Sequence, residues 1–248
     1  DKDERIKFTS SETKLQISEN TNEAISIATG DYIAFADHDD LLSPDAFYEF
    51  VNLINKYNEV DAIYSDEDKI SMDGKKYFQP HFKPDFNEYL LNSNNYICHL
   101  FMVKKQVVDK IGPLNPEFNG SQDYDFILRC SEITDKIYHI PKILYHWRAH
   151  KDSTAENPES KLYAYDAGKR AVEAHYKRLG IEAEVTQPEC YGIYRTQYNI
   201  LGEPKVSIII PNKDHILDLK SCISSIIEKS TYNNFEIIVV ENNSQEEE

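Results

Sequence analysis

Residues 30–47 read GDYIAFADHDDLLSPDAF, and the order of residue types in this stretch decides the fold class. DYIAFA, from Asp31 to Ala36, is a short apolar run bounded by Gly30 and an acidic cluster, which predicts a strand covered on both faces in a parallel sheet. NTNEAISIAT before it reads as a short helix. Ser43 and Pro44 form a cap and first-turn pair, followed by Ala46, Phe47, Phe50, Val51 and Ile54 at helical spacing. Helix, strand, acidic turn and helix in succession make this an α/β protein. The acidic turn places Asp37, Asp39 and Asp40 just past the strand's C-terminal end, the edge where open parallel sheets take their ligands. If the chain stays extended there, Asp37 and Asp39 point to one side. They could then share a divalent ion, or one could hold the ion while the other takes a ribose. The same aspartates could also be a solvated turn capping the next helix.

Working outward, apolar runs recur at DAIYS (61–65) and ICHLFMV (97–103), and an amphipathic helix is predicted to begin near Asp123, with Phe126, Ile127 and Cys130 along one side. Residues 66–96 are rich in aromatic, Pro, Asn and Asp residues without clear periodicity and read as a surface excursion that shapes a binding site and its specificity. ILYHWRAH after Pro141 reads as a strand, followed by a helix around 160–179 and an aromatic strand near 191–200. From Pro204 the chain starts anew: VSIII (206–210), a helix at 216–228 and EIIVV (236–240) compose a β-α-β unit. The division is therefore 1–203 and 204–248.

With 27 basic and 43 acidic residues among 248, the formal charge of -16 argues against nucleic acid and anionic membrane surfaces as partners. A nucleotide remains compatible with that charge if a divalent cation neutralises its phosphates locally. A 40% apolar content is ample for a packed core, and no run approaches the roughly 20 apolar residues of a membrane span. A cytoplasmic setting is the expectation. Cys98, Cys130, Cys190 and Cys222 lack the close spacing of a zinc or redox motif and read as reduced core residues.

Two further clusters could carry chemistry. GSQDYDFILR puts Asp123 and Asp125 at a helix start, where carboxylates favour the helix dipole but where one could instead be a general base. In ILYHWRAH, strand alternation sets Leu144, His146, Arg148 and His150 on one face and Trp147 on the other. His146 and His150 could complete a metal site, Arg148 could meet a diphosphate, and Trp147 could stack on a sugar ring.

ISENTNEAISIATGDYIAFADHDDLLSPDAF, YSDEDKI, FKPDF, NGSQDYDFILRC and HIPKILYHWRAHKDSTA together resemble a family-2 glycosyltransferase of the GT-A fold, close to bacterial multi-domain enzymes such as rhamnosyltransferases that build surface polysaccharides. The resemblance implies a mostly parallel nucleotide-binding sheet flanked by helices and metal-dependent, inverting transfer from a nucleotide-diphosphate sugar donor to a glycan acceptor. It implies that Asp37 and Asp39 bind Mg2+ or Mn2+ and the nucleotide sugar. By motif match Asp123 is the base, beside Gln122 where many relatives carry Glu, and a histidine, His146 or His150, approaches the metal or diphosphate. VSIIIPNKD and FEIIVVENNS resemble the first strands of a second such domain, so Pro211, Asn212 and Glu241 become candidates for nucleobase contacts. The first domain would then lack its opening β-α-β unit while the tail supplies one, which predicts that 206–240 completes the sheet, either within the chain or by swapping in a homodimer. Two competing readings are a metal-dependent phosphoesterase or nucleotidyltransferase and a non-catalytic nucleotide- or glycan-binding module of a larger synthase.

Overall fold

The computed structural model describes residues 3–149 and 162–245. The chain divides into two compact units, 1–198 and 199–248. In the first, the elements follow as α1 (Ile17–Ile27), β1 (Tyr32–Phe35), β2 (Leu41–Leu42), α2 (Ala46–Lys56), β3 (Ala62–Ile70), β4 (Tyr77–His81), α3 (Glu88–Leu91), β5 (Phe101–Lys104), α4 (Lys105–Ile111), a 3-10 turn (Pro116–Phe118), α5 (Gln122–Ser131), β6 (Ile137–Arg148), α6 (Leu162–Leu179), β7 (Ala183–Thr186) and β8 (Arg195–Tyr198). In the second they are β9 (Val206–Asn212), α7 (Ile216–Lys229) and β10 (Phe235–Glu241).

Six strands form the main sheet in the order β1-β5-β3-β6-β2, with β4 pairing on β3. β3 and β6 are parallel neighbours, and β1 points the same way, but β5 is inserted between β1 and β3 and runs antiparallel to both. The expected parallel set is therefore present with an antiparallel strand inside it. β1 lies at one end of the sheet, so Ile33 is buried while Tyr32, Ala34 and Phe35 are half-buried rather than covered on both faces.

Strand alternation sorts the core into two layers. Ile33, Ala62, Tyr64, Phe101 and Val103 face one way, onto α4, α5 and α6 through Val107, Phe126, Ile127, Ala171 and Val172. Ile63, Leu100 and Met102 face the other, with Ala46 and Phe50 of α2 and Leu144 and Tyr145 of β6. Helices thus cover both faces, as expected of an α/β sheet. α2 begins two residues after Pro44, with Asp45 at its cap, and it buries Ala46 and Phe50 while Phe47 and Val51 stay exposed.

Two expectations need correction. The strand at 61–65 does not end at Ser65: β3 runs on through Asp66, Glu67 and Asp68, which are buried. Three successive carboxylates look like a loop, yet each has a cationic or hydrogen-bonding partner that makes burial tolerable. Asp66 accepts from the Lys83 backbone N–H at 2.8 Å and meets His139 Nε2 at 2.8 Å; Glu67 meets Lys83 Nζ at 3.2 Å; Asp68 meets His146 Nδ1 at 2.5 Å. Pro141, which has no N–H, falls where the β3–β6 register shifts, opposite Ser65 and Asp66. Second, only Cys130 is deep in the core; Cys98 is half-buried, and Cys190 and Cys222 are exposed, although all four are free thiols.

In the second unit β9 and β10 pair in parallel, Val206 opposite Phe235 through Asn212 opposite Glu241, around α7, as a β-α-β unit should. They form a two-stranded sheet of their own. Among the described residues no helix is long and apolar enough to cross a membrane.

α5 is locked to α6 by a buried ionic cluster. Asp125, almost fully buried, accepts from Arg129 Nε at 2.9 Å and from Arg178 Nη1 at 3.5 Å, while Arg129 also donates to the carbonyls of Ile111 and Pro113. Glu132 receives His175 Nδ1 at 2.7 Å and the Arg178 guanidinium. Asp125 is thus the structural member of the Asp123/Asp125 pair. Removing it leaves the mostly buried Arg129 guanidinium without its carboxylate, so Asp125→Ala is expected to cost about 3–5 kcal/mol, measured by urea unfolding.

Candidate functional site

The acidic segment after β1 leaves the extended conformation at once. Asp40 N–H reaches the Asp37 carbonyl at 3.4 Å, closing a turn over Asp37–Asp40. Asp37 and Asp39 both line one cleft of about 820 Å³, but a turn brings them there rather than strand alternation. Asp40 takes the opposite part. Its carboxylate accepts from the Tyr145 hydroxyl at 2.5 Å and from the Arg148 backbone N–H at 2.8 Å. Burial pushes the Asp40 carboxyl above its ordinary range, partly offset by those two hydrogen bonds. Tyr145 also accepts from the Asp37 backbone N–H at 3.0 Å.

β6 supplies the other half of the turn's support. Arg148 Nε donates to the Asp39 carbonyl at 2.6 Å, and Nη1 to the carbonyls of Met72 at 3.0 Å and Ser71 at 3.3 Å. The guanidinium expected at a diphosphate donates through Nε and Nη1 to backbone carbonyls and holds the turn to the β3–β4 connection. His146 is paired with Asp68 and meets the Tyr77 ring edge-on at 4.7 Å, and it does not line the cleft. Trp147, on the other face of β6, does line it. His150 lies outside the described residues.

The far wall is the start of α5. Gln122 Oε1 accepts from the Gly120 N–H at 2.8 Å, so the residue standing where relatives carry Glu acts in the local cap. Asp123 projects into the cleft and accepts from Asn95 Nδ2 at 2.9 Å. Burial raises its carboxyl above the ordinary range, and the nearby His99 partly opposes the rise. Gly120 has φ +100, and a Cβ there would stand 2.6 Å from the Tyr163 ring and 3.2 Å from Ala164 Cα; its absence lets α6 close this side.

Sequence reasoning missed the residues between these walls. Asn95, Cys98 and His99 all line the cleft. His99 Nε2 stands 3.6 Å from Asp37 Oδ2, its ring stacks on Tyr145 at 5.0 Å, and its buried Nδ1 has no hydrogen-bond partner. The segment is held from below by Lys83, whose buried Nζ donates to the carbonyls of Ile97 and His99 as well as to Glu67. ICHLFMV reads as an apolar strand start, and nothing in its pattern separates His99 from its neighbours. A smaller apolar annex of about 120 Å³, lined by Phe35, Phe101, Leu114 and Phe126, shares Asp37, His99 and Asp123 with the cleft.

In the second unit, Asn212 Nδ2 donates to Glu241 Oε2 at 2.8 Å across the ends of β9 and β10, with Pro211 one register position back. Hydrogen bonds from Ser244 and then Asn212 draw the Glu241 carboxyl below its usual range.

Among the described residues no group of three or more His, Cys, Asp and Glu side chains is arranged to hold a metal ion. The two cleft carboxylates, Asp37 and Asp39, are hard oxygen donors of the kind Mg2+ or Mn2+ takes when substrate phosphates and water complete its shell, so the donor chemistry fits such an ion.

Residues 1–112 match the family model described as glycosyl transferase family 2. The chain is 43% identical over 247 residues to the uncharacterized protein y4gI of Sinorhizobium fredii, covering 98% of this chain and 27% of that protein. It is 35% identical over 244 residues to the O-antigen biosynthesis protein RfbC of Myxococcus xanthus, covering 98% of this chain and 19% of that one. A chondroitin synthase of Pasteurella multocida is 28% identical over 139 residues, 56% of this chain and 14% of its own length. The chain therefore spans about a quarter or less of these relatives. Among solved structures, S. aureus TarS 1-349 aligns with a TM-score of 0.42 and 15% identity over 64% of this chain and 50% of that one.

The raised Asp123 carboxyl has a consequence for stability. A carboxyl whose folded-state pKa exceeds its unfolded value destabilises the fold above that folded-state pKa and has no effect below the ordinary Asp range. Asp123→Asn, which keeps an oxygen for Asn95, is expected to unfold at higher urea than the parent at pH 7–8. The advantage should shrink as pH falls through the raised pKa; an advantage that grew toward acid would contradict the burial assignment.

Proposed function

We propose, from the premise that the chain belongs to glycosyl transferase family 2, that its cleft transfers a sugar from a nucleoside-diphosphate donor to a hydroxyl of a growing cell-surface glycan. One observation carries the reading: Asp37 and Asp39, on the turn after β1, and Asp123, on the first turn of α5, meet at a single cleft large enough for a small-molecule ligand.

Asp37 and Asp39 would hold Mg2+ or Mn2+, which when bound would offset the charge of the departing diphosphate. Asp123 takes the proton from the attacking hydroxyl. Its burial makes it a stronger base than a solvated aspartate, and Asn95 fixes one of its oxygens so that the other can face the acceptor. A base on the wall facing the acidic turn supports attack from the side opposite the leaving group, hence inversion at the anomeric carbon. Trp147 offers its indole face to the acceptor sugar. Holding donor and acceptor in line supplies a large share of the rate. In the second unit, Pro211, Asn212 and Glu241 stand at the C-terminal ends of a parallel pair and are proposed as nucleobase contacts for a nucleotide bound by that unit itself.

Calorimetry with UDP, GDP and dTDP, each with and without Mn2+, tests the reading. At least one nucleotide should bind only when Mn2+ is present, and Asp39→Ala should abolish that binding. Asp123→Asn should leave it intact while lowering nucleotide release from the matching donor sugar by about 10²–10⁴-fold. Binding to none of the three, or binding indifferent to Mn2+ and to Asp39, would overturn the proposal.

A further inference from the structure

Trp147 is the only tryptophan in the chain, and it is a wall of two spaces. One is the cleft. The other is a pocket of about 260 Å³ lined by Glu67, Asp68, Lys69, Gln79, His81 and Trp147. Pairing of β4 on β3 builds this second pocket: Glu67 stands opposite His81, and a register irregularity between Glu67 and Lys69 leaves Gln79 in the left-handed region at φ 48. A non-glycine residue in that region is uncommon, and the irregularity re-aims the side chains beside it. Gln79 Oε1 accepts from Lys69 Nζ at 2.8 Å, and His81 Nδ1 stands 3.4 Å from Glu67 Oε1, so the polar groups are pre-set against each other.

We infer that this pocket is a subsite for a hydroxylated sugar ring of the acceptor glycan, one residue removed from the ring that enters the cleft. An indole wall with the Lys69 ammonium 5.8 Å from its ring centroid, an amide, an imidazole and two carboxylates provides an apolar face together with hydrogen-bond donors and acceptors, the complement a pyranose needs. Because the indole is shared, a glycan passing over Trp147 lies in both spaces at once. The inference rests on the glycan-transfer reading above for the identity of the ligand.

A single tryptophan makes intrinsic fluorescence a local reporter. Maltotriose, xylobiose, N,N′-diacetylchitobiose and a rhamnose disaccharide are titrated against the intact chain without nucleotide. At least one of these saccharides should shift Trp147 emission saturably. Gln79→Gly keeps the left-handed backbone without the amide, and His81→Ala removes the imidazole; both residues are exposed and outside the cleft. Each should weaken the saccharide at least tenfold while Mn2+-dependent nucleotide calorimetry stays unchanged. Silence across the panel, or full affinity in both variants, would each overturn the subsite. Saccharide binding that responds to the variants in a chain that binds no nucleotide would keep the subsite and remove the donor reading, so the two failures are distinguishable.

Discussion

The buried ammonium of Lys83 is the constraint on which the site depends. Its side chain is wholly withdrawn from water, and it is satisfied by the Glu67 carboxylate and by the carbonyls of Ile97 and His99. An ion in that position is tolerable only with its donors spent. The arrangement ties the charged half of β3 to the segment that carries Asn95, Cys98 and His99 into the cleft. YSDEDKI and FKPDF, which look like surface sequence, are therefore the two halves of one internal brace, and one wall of the cleft stands on it.

A second economy is visible in the acidic turn. Of its three aspartates, Asp40 turns inward to bind Tyr145 and the Arg148 backbone, leaving Asp37 and Asp39 at the cleft. The α5 pair divides the same way, with Asp125 sealed among arginines and Asp123 at the opening. In both cases a carboxylate with fixed partners holds the backbone from which its neighbour works. Such support fixes the position of a side chain at a cleft within a narrow tolerance.

The parts of this molecule that could be read from its residues are those with local signals. The apolar run before Asp37, the Ser43–Pro44 start, the α5 amphipathic face and the β-α-β periodicity of 206–240 each state their own structure. What could not be read is pairing over long distance. Asp66, Glu67 and Asp68 look unfit for an interior strand until Lys83, His139 and His146 arrive from elsewhere. His99 carries no pattern at all, because its place beside Asp37 comes from the β5 register and the Lys83 brace. The ties of Arg148 to the carbonyls of Asp39, Ser71 and Met72 could not be read either, because bonds to backbone carbonyls leave no trace in composition.

The Arg148 guanidinium joins the Asp39 carbonyl to those of Ser71 and Met72, at the tip connecting β3 and β4. Surface connections of this kind are ordinarily where a lineage inserts and deletes residues freely. Here the tip is fastened to the acidic turn by one cation, so its length is not free to drift. Insertions at 71–73 would displace Asp39, and an outlying hairpin thereby falls under the same constraint as a cleft it does not line.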